Sequence, residues 1–359
     1  MTGPIHNAMA KARGALSNEV SRFDRFQRER ADDGWAVETD DLPTLKTTLS
    51  WEQPKSVINY VRSPDLPFDR SINPYRGCEH GCVYCFARPS HAYLGLSPGL
   101  DFETKLIAKT GIADVLAREL ARKSYKIAPI AIGTNTDPYQ PVEQDAGVMR
   151  ACLEVLSASN HPVAIVTKGT LIERDLDILA PMAKRGLVRV GISVTTLDRH
   201  LSRLMEPRAP TPDRRLKTMA RLAQAGVPVR VMASPMVPAL TDPELEAILK
   251  AGKAAGARSA SWIMLRLPRE VSPLVREWLA EHFPDRAGRI IARLREMHGG
   301  QDYDARWGHR MRGEGHYADI IAHRFNVAVK RLGLKTTSPP MRTDLFRPPV
   351  LPGAQLSLF

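Results

Sequence analysis

The sequence predicts an α/β fold centred on six successive β/α units, and three observations predict it. From Pro67 onward, short β-branched runs alternate with longer segments of helical periodicity, the pattern of parallel strands joined by crossover helices. Several helical segments stop at a glycine (Gly186, Gly226, Gly256), as a left-handed C-terminal cap requires. A loop carrying three cysteines follows directly on the first strand, at the carboxyl end where barrels and open sheets of this class bind ligands. Periodicity alone leaves two architectures open, a doubly wound sheet and a partial barrel.

Taken in order, the strands are expected at Ser71–Asn73, Ile127–Thr134, Pro162–Thr167, Val188–Thr195, Val227–Met236 and Ala260–Leu267. Between and after them, helical periodicity covers 112–123, 144–158, 171–185, 213–225, 243–256 and 272–282. Leu216, Met219, Ala220, Leu222 and Ala223 recur at helical spacing and are read as core. Beyond Phe283, the segment 285–297 sets Ala287, Ile290, Ile291, Leu294 and Met297 on one face and Arg286, Arg289 and Arg293 on others, a basic amphipathic helix. A further helix is expected from Tyr317 to Leu332, ended by Gly333. The domain division is 1–66 as an N-terminal extension, 67–283 as the core, 284–338 as a basic helical extension and 339–359 as a Pro-rich tail. In the first segment, Arg22, Arg25, Arg28 and Arg30 are expected on a short helix.

The chain is long enough, at 359 residues with 43% hydrophobic, to bury one large core with extensions. No run of eighteen apolar residues occurs and the first fourteen lack an apolar stretch, so neither a membrane span nor a signal peptide is expected. Four cysteines in such a chain point to a reducing compartment, the cytoplasm. The formal charge of +12 favours an acidic partner such as nucleic acid. Between Asp285 and Arg347 thirteen Lys and Arg oppose seven Asp and Glu, a net +6, so half of the excess sits in that segment.

Cys78, Cys82 and Cys85 are spaced C-x3-C-x2-C within Asn73-Pro-Tyr-Arg-Gly-Cys-Glu-His-Gly-Cys-Val-Tyr-Cys85. Structural zinc takes four protein ligands, whereas a four-iron cluster on three cysteines leaves one iron open to an outside ligand. A Cys3His zinc site with His80 or His91 is the alternative, although His80 lies between two of the cysteines and would need a strained loop. Cys152 falls inside a helical segment beside Leu153, Val155 and Leu156 and is read as a buried structural thiol.

With aromatic Tyr84 just before the last cysteine, the motif resembles that of the radical S-adenosylmethionine (SAM) superfamily. The longer string NPYRGCEHGCVYCFAR is similar to the branch related to spore photoproduct lyase. The resemblance runs from about Ser71 to Pro268. It implies a partial (β/α)6 barrel, a [4Fe–4S] cluster on Cys78, Cys82 and Cys85, SAM chelating the open iron, and reductive release of a 5′-deoxyadenosyl radical. It also implies a reductant such as flavodoxin or ferredoxin.

On the same resemblance, Tyr84, Asn135 and Thr136 after the second strand, Ser193 and Thr195 at the end of the fourth, and Arg208 are candidate SAM-binding residues. Asp137 and Glu143 stand behind Asn135 and Thr136; their plainer reading is a turn and a helix cap. Arg208, in Glu206-Pro-Arg-Ala-Pro210, suits a carboxylate. Arg230, Ser234 and Met236 on the fifth strand are expected to border the adenine. The spore enzyme has a hydrogen-donating cysteine where this chain has Asn135, so the spore reaction itself is not expected.

Arg306, Arg310, Arg312 and Arg324, interleaved with Tyr303, Trp307, Tyr317 and Phe325, match phosphate contacts and stacking surfaces, and equally a helical cap with a solvated basic face. The function expected is a radical SAM enzyme acting on nucleic acid. The alternatives are the same chemistry on a protein or small molecule, and a non-catalytic cluster module associated with DNA. Finally, Gln355-Leu356-Ser357-Leu358-Phe359 resembles the pentapeptide that docks on the bacterial DNA sliding clamp, with Leu358 and Phe359 as apolar anchors.

Overall fold

In the computed structural model, residues 13–23 and 45–351 are described. The strands are β1 Thr48–Glu52, β2 Asn59–Tyr60, β3 Arg70–Ile72, β4 Tyr75–Arg76, β5 Lys105–Lys109, β6 Ile130–Ile132, β7 Val163–Thr167, β8 Val188–Ser193, β9 Val229–Met236 and β10 Ser259–Met264. The helices are α1 Asp101–Thr104, α2 Ile112–Leu120, α3 Glu143–Ala146, α4 Val148–Ala158, α5 Leu176–Lys184, α6 Arg199–Met205, α7 Pro212–Gln224, α8 Leu245–Ala254, α9 Val271–His282, α10 Pro284–Glu296 and α11 Gly315–Leu332.

The main sheet runs β10-β9-β8-β7-β6-β3-β2, with six parallel strands and the antiparallel β2 at one edge. Sequential strands are neighbours throughout the parallel part, the order of a β/α barrel wall. Val231 packs against α8, where a Cβ added to Gly252 would lie 2.6 Å from the valine side chain. Val229, Val231 and Ala233 therefore face the helices, and the alternate residues Met232 and Ser234 face the concave side. A Cβ added to Gly191 would meet Met232 Sδ at 2.6 Å and Val166 Cγ2 at 3.6 Å, which puts these three on the same concave wall.

The sheet curls so that the loops beyond its first and last parallel strands touch. Phe86 follows the first parallel strand and Arg266 the last, yet the Arg266 guanidinium carbon lies 4.4 Å from the Phe86 ring centroid. The segment 303–312 spans the remaining gap: Met264 N donates to Met311 O (2.9 Å), while Asp65 between β2 and β3 accepts from Gly308 N (2.7 Å) and Arg310. This is the partial barrel that the resemblance implies. The opposite end is sealed by the chain after α11, where Ala260 N donates to Lys335 O (2.9 Å) and Arg230 reaches Thr336 O (3.1 Å).

Several boundaries differ from the sequence expectation for local reasons. β6 begins only at Ile130, because Pro129 has no N–H for the ladder. The 144–158 helix is two pieces, broken at Gly147 (φ 63°), and the Glu143 carboxylate accepts from Met149 N and Arg150 N to cap the second. The small sheet β1-β5-β4 was not anticipated. Arg22 lies in a turn and pairs with Glu270 at the start of α9 (2.7 Å); Arg25, Arg28 and Arg30 lie outside the described residues. α10 buries Ile290, Ile291 and Leu294, the expected apolar face.

Two glycines test this packing. Gly252→Ala forces a methyl into Val231 and is expected to destabilise by about 1–3 kcal/mol. Gly288→Ala in α10 meets nothing within 4 Å and is expected to stabilise by about 0.4–1 kcal/mol. Denaturant midpoints of the two variants check both signs.

Candidate functional site

The loop after β3 carries the three cysteines, Cys78 and Cys82 buried and Cys85 partly so. Its backbone is gripped from several sides. Gln140 accepts from Glu79 N (2.7 Å) and donates to Gly77 O (3.2 Å), and Thr136 donates to Tyr75 O (3.0 Å). Cys78 N donates to Phe102 O (2.9 Å) and Val83 N to Met205 O (3.1 Å). Arg88, fully buried, donates to Cys82 O (3.0 Å) and Gly99 O (2.9 Å) and pairs with the equally buried Glu103. Glu103 also accepts from Gly14 N (2.9 Å) and Ala15 N (2.8 Å), which draws the N-terminal segment over the loop. Gly14 touches it so closely that a Cβ there would sit 1.7 Å from Gly81 O.

Each candidate zinc histidine has one ring nitrogen engaged, and His91 Nδ1 is buried without a partner among the described residues. His80 Nδ1 pairs with Asp137 (3.3 Å), and His91 Nε2 faces Lys105 O (3.0 Å) while its ring packs edge-on against Phe102. Thiolates on one zinc ion sit about 3.8 Å apart, and among the described residues no three Cys, His, Asp or Glu converge in that way. The three thiols nevertheless share one loop and lie within each other's electrostatic reach, as suits a cluster in which each cysteine takes a different iron. Burial pushes Cys78 well above the ordinary thiol range and Cys82 up to about 12, so metal loading must release protons.

Beside this loop a second buried carboxylate gathers the barrel. Glu206 accepts from Tyr84 Oη, Thr195 Oγ1 and Arg215, with Lys168 Nζ 3.9 Å away. Burial pushes its carboxyl up, but Arg215 and Lys168 outweigh that and hold it at about 2. Burial likewise opposes charge on Lys168, yet Cys82 and Glu206 keep its pKa above the ordinary lysine value. Lys168 ends β7 beside the cysteine loop, and its ammonium lies 5.7 Å from the Tyr84 ring centroid.

Of the residues expected to bind cofactor, Tyr84 and Thr195 are thus joined to Glu206, and Thr136 to the cysteine loop. Ser193 donates to Ser234 O (2.7 Å). Asn135 is half-buried and makes no protein hydrogen bond among the described residues. Arg208 pairs with Glu79 (2.6 Å), which also accepts from Thr47 (2.7 Å). Asn73 Oδ1, Arg208 Nε and Ser234 Oγ are buried without a partner near the carboxyl ends of the strands, the signature of a polar ligand site. Arg230 is a correction: it sits at the amino end of β9, bound to Thr336 and Ser338, too low to border an adenine with Ser234. Asp137 anchors the turn through Lys168 N (2.7 Å) and Tyr139 N (2.9 Å). Cys152 is fully buried in α4, its thiol pushed up to about 12 by burial.

Sequence reasoning missed Lys168, Glu206, Arg88, Glu103 and the strap at residues 13–15. A lysine directly after an apolar strand was a readable signal for Lys168; nothing marked the strap. Three of the four C-terminal arginines are neutralised: Arg306 by Asp304 and Glu314, Arg310 by Asp65, and Arg324 by Glu246. Arg312 instead stacks over Trp262 at 5.6 Å. Gln355–Phe359 lies outside the described residues.

Residues 72–251 match the radical SAM superfamily. An uncharacterised protein of Mycobacterium tuberculosis is 40% identical over 247 residues, 68% of this chain and 72% of the relative. The fold is similar to that of spore photoproduct lyase complexed with dinucleoside spore photoproduct, with TM-score 0.58 and 14% identity over 80% of this chain and 81% of that one. A variant of the same enzyme with bound AdoMet and the dinucleoside gives TM-score 0.57 and 13% identity over 80% of each chain.

Replacing Cys78, Cys82 or Cys85 with Ala is expected to abolish iron binding after anaerobic reconstitution, and Cys152→Ala to leave it intact. Iron and sulfide analysis with visible absorption distinguishes this from a zinc protein, which would hold metal without the cluster absorption.

Proposed function

The chain belongs to the radical SAM superfamily, enzymes that use a [4Fe–4S] cluster and SAM, and from that premise we propose that its substrate is a nucleic acid. The chemistry this pair supplies when bound is one-electron cleavage of SAM to a 5′-deoxyadenosyl radical that abstracts hydrogen. Cys78, Cys82 and Cys85 hold the cluster in this reading, and a reductant such as flavodoxin or ferredoxin supplies the electron. Asn135, Ser193 and Arg208 line the SAM site, where Lys168 is a partly buried cation for the methionine carboxylate. Tyr84, Thr136 and Thr195 shape its wall through their hydrogen bonds to Glu206 and Tyr75.

The observation that carries the nucleic-acid reading is the segment 303–312 at the carboxyl end of β10. Arg312 is stacked on Trp262, on the helix side of β10, and is paired with no acid among the described residues, and Trp307 on the same segment is 60% exposed. Guanidinium and aromatic groups together match phosphate and base. The dinucleoside held by spore photoproduct lyase, a protein of similar fold, agrees with this reading. The net +6 between Asp285 and Arg347 adds attraction at longer range. The clamp-like Gln355-Leu356-Ser357-Leu358-Phe359 completes the proposal: it tethers the enzyme to a DNA sliding clamp, in the cytoplasm. No helix among the described residues is long and apolar enough to cross a membrane.

Three measurements follow. Lys168→Ala and Arg208→Ala are each expected to weaken SAM binding by about 1–3 kcal/mol; unchanged affinity removes that residue from the site. Affinity for oligonucleotides is expected to fall steeply as salt rises, with Arg312→Gln more damaging than the neutralised Arg306→Gln. Absence of binding at low salt rejects a nucleic-acid substrate in favour of a peptide or small molecule. A peptide covering residues 352–359 is expected to bind purified clamp, and Leu358→Ala with Phe359→Ala to abolish the binding of peptide and intact protein alike.

A further inference from the structure

We propose that Phe86 and Arg266 form a nucleotide subsite at the closed mouth of the barrel, the guanidinium holding a phosphate and the exposed part of the ring stacking on a base. The assignment rests on the nucleic-acid reading and locates the strand relative to the cysteine loop. Phe86 immediately follows Cys85 and is 43% exposed, unusual for a large apolar side chain beside a buried loop. Arg266 covers part of its ring at 4.4 Å. The pair joins the loops after the first and last parallel strands, so anything approaching the concave side from the mouth passes it.

The charge of Arg266 is the second observation. It is half-buried and, among the described residues, donates to no acceptor. Burial works against its charge and Arg310 adds to the effect, while Tyr303, Cys85 and Asp65 act the other way without reversing it. Asp65 is close enough to act on it but already accepts from Gly308 N and Arg310. Two guanidiniums against one carboxylate leave a positive excess at the mouth, and the Arg266 donors are the ones without an acceptor. A guanidinium fork suits a phosphodiester, and a base stacked on an aromatic ring is the sequence-tolerant half of single-strand recognition. An acidic peptide would use the cation alone and leave the exposed ring without a role.

The test measures anisotropy of a labelled short oligothymidylate, and of the same strand with abasic sugars, on anaerobically reconstituted full-length protein. Arg266→Gln is expected to weaken binding of both strands about tenfold and to reduce the salt slope by about one. Phe86→Leu is expected to weaken the thymidylate about tenfold and leave the abasic strand unchanged. Iron content and SAM affinity of the variants report on folding; if Phe86→Leu loses iron, Arg266→Gln and Arg266→Lys carry the test, with Lys restoring part of the salt slope. Binding by the native protein that neither variant alters overturns the subsite and leaves the nucleic-acid reading standing. No binding by the native protein overturns both. Polyglutamate binding as tight as the oligonucleotide's, dependent on Arg266 and indifferent to Phe86, assigns the cation to an acidic peptide instead.

Discussion

A carboxylate with no access to water must be matched by buried donors, and Glu206 is such a carboxylate. Its partners come from four places: Tyr84 in the cysteine loop, Thr195 after β8, Arg215 on α7 and Lys168 after β7. None of these can move far without stranding a charge, a loss of about 3–5 kcal/mol for a buried pair broken on one side. The relative positions of the metal loop and the strand ends are therefore set by charge pairing as well as by apolar packing. Tyr84 and Thr195, chosen from the sequence as cofactor contacts, belong to the frame that fixes the site's shape.

The cysteine loop has its own buried pair. Arg88 and Glu103 together bind carbonyls of the loop and amides of the N-terminal strap, so the loop is held from beneath and covered from above. Rigidity of this kind suits a multi-metal group whose ligands come from eight consecutive residues. It also explains why Gly14 tolerates no side chain: the strap lies on the Gly81 carbonyl. At the mouth the arrangement is looser, with Phe86 and Trp307 exposed and Arg266 paired with no carboxylate among the described residues.

How much of this was legible in the sequence depended on range. The six parallel strands and their helices were readable because burial on both faces makes each strand a continuous apolar run and each crossover helix amphipathic. The cysteine spacing was readable because the ligands are local. Lys168, Glu206 and Glu103 were harder, because much of their meaning lies in distant partners, 38 residues apart in Lys168–Glu206, 89 in Gly14–Glu103 and 122 in Tyr84–Glu206. Arg230 misled for the opposite reason: its residue type fitted a ligand site, but its place at the start of β9 put it at the wrong end of the barrel. Likewise the arginines at 306, 310 and 324 looked like a phosphate surface until their acidic neighbours were found beside them.

Radical generation from SAM beside a mouth that takes nucleic acid is the reading we propose. The most direct measurement is 5′-deoxyadenosine formed by the anaerobically reduced, iron-loaded protein with SAM, with and without added DNA or RNA. The account predicts 5′-deoxyadenosine in the native protein, none in Cys82→Ala, and a rate that changes when the nucleic-acid substrate is present. An intact cluster that binds SAM and never yields 5′-deoxyadenosine, with any nucleic acid added, would contradict it.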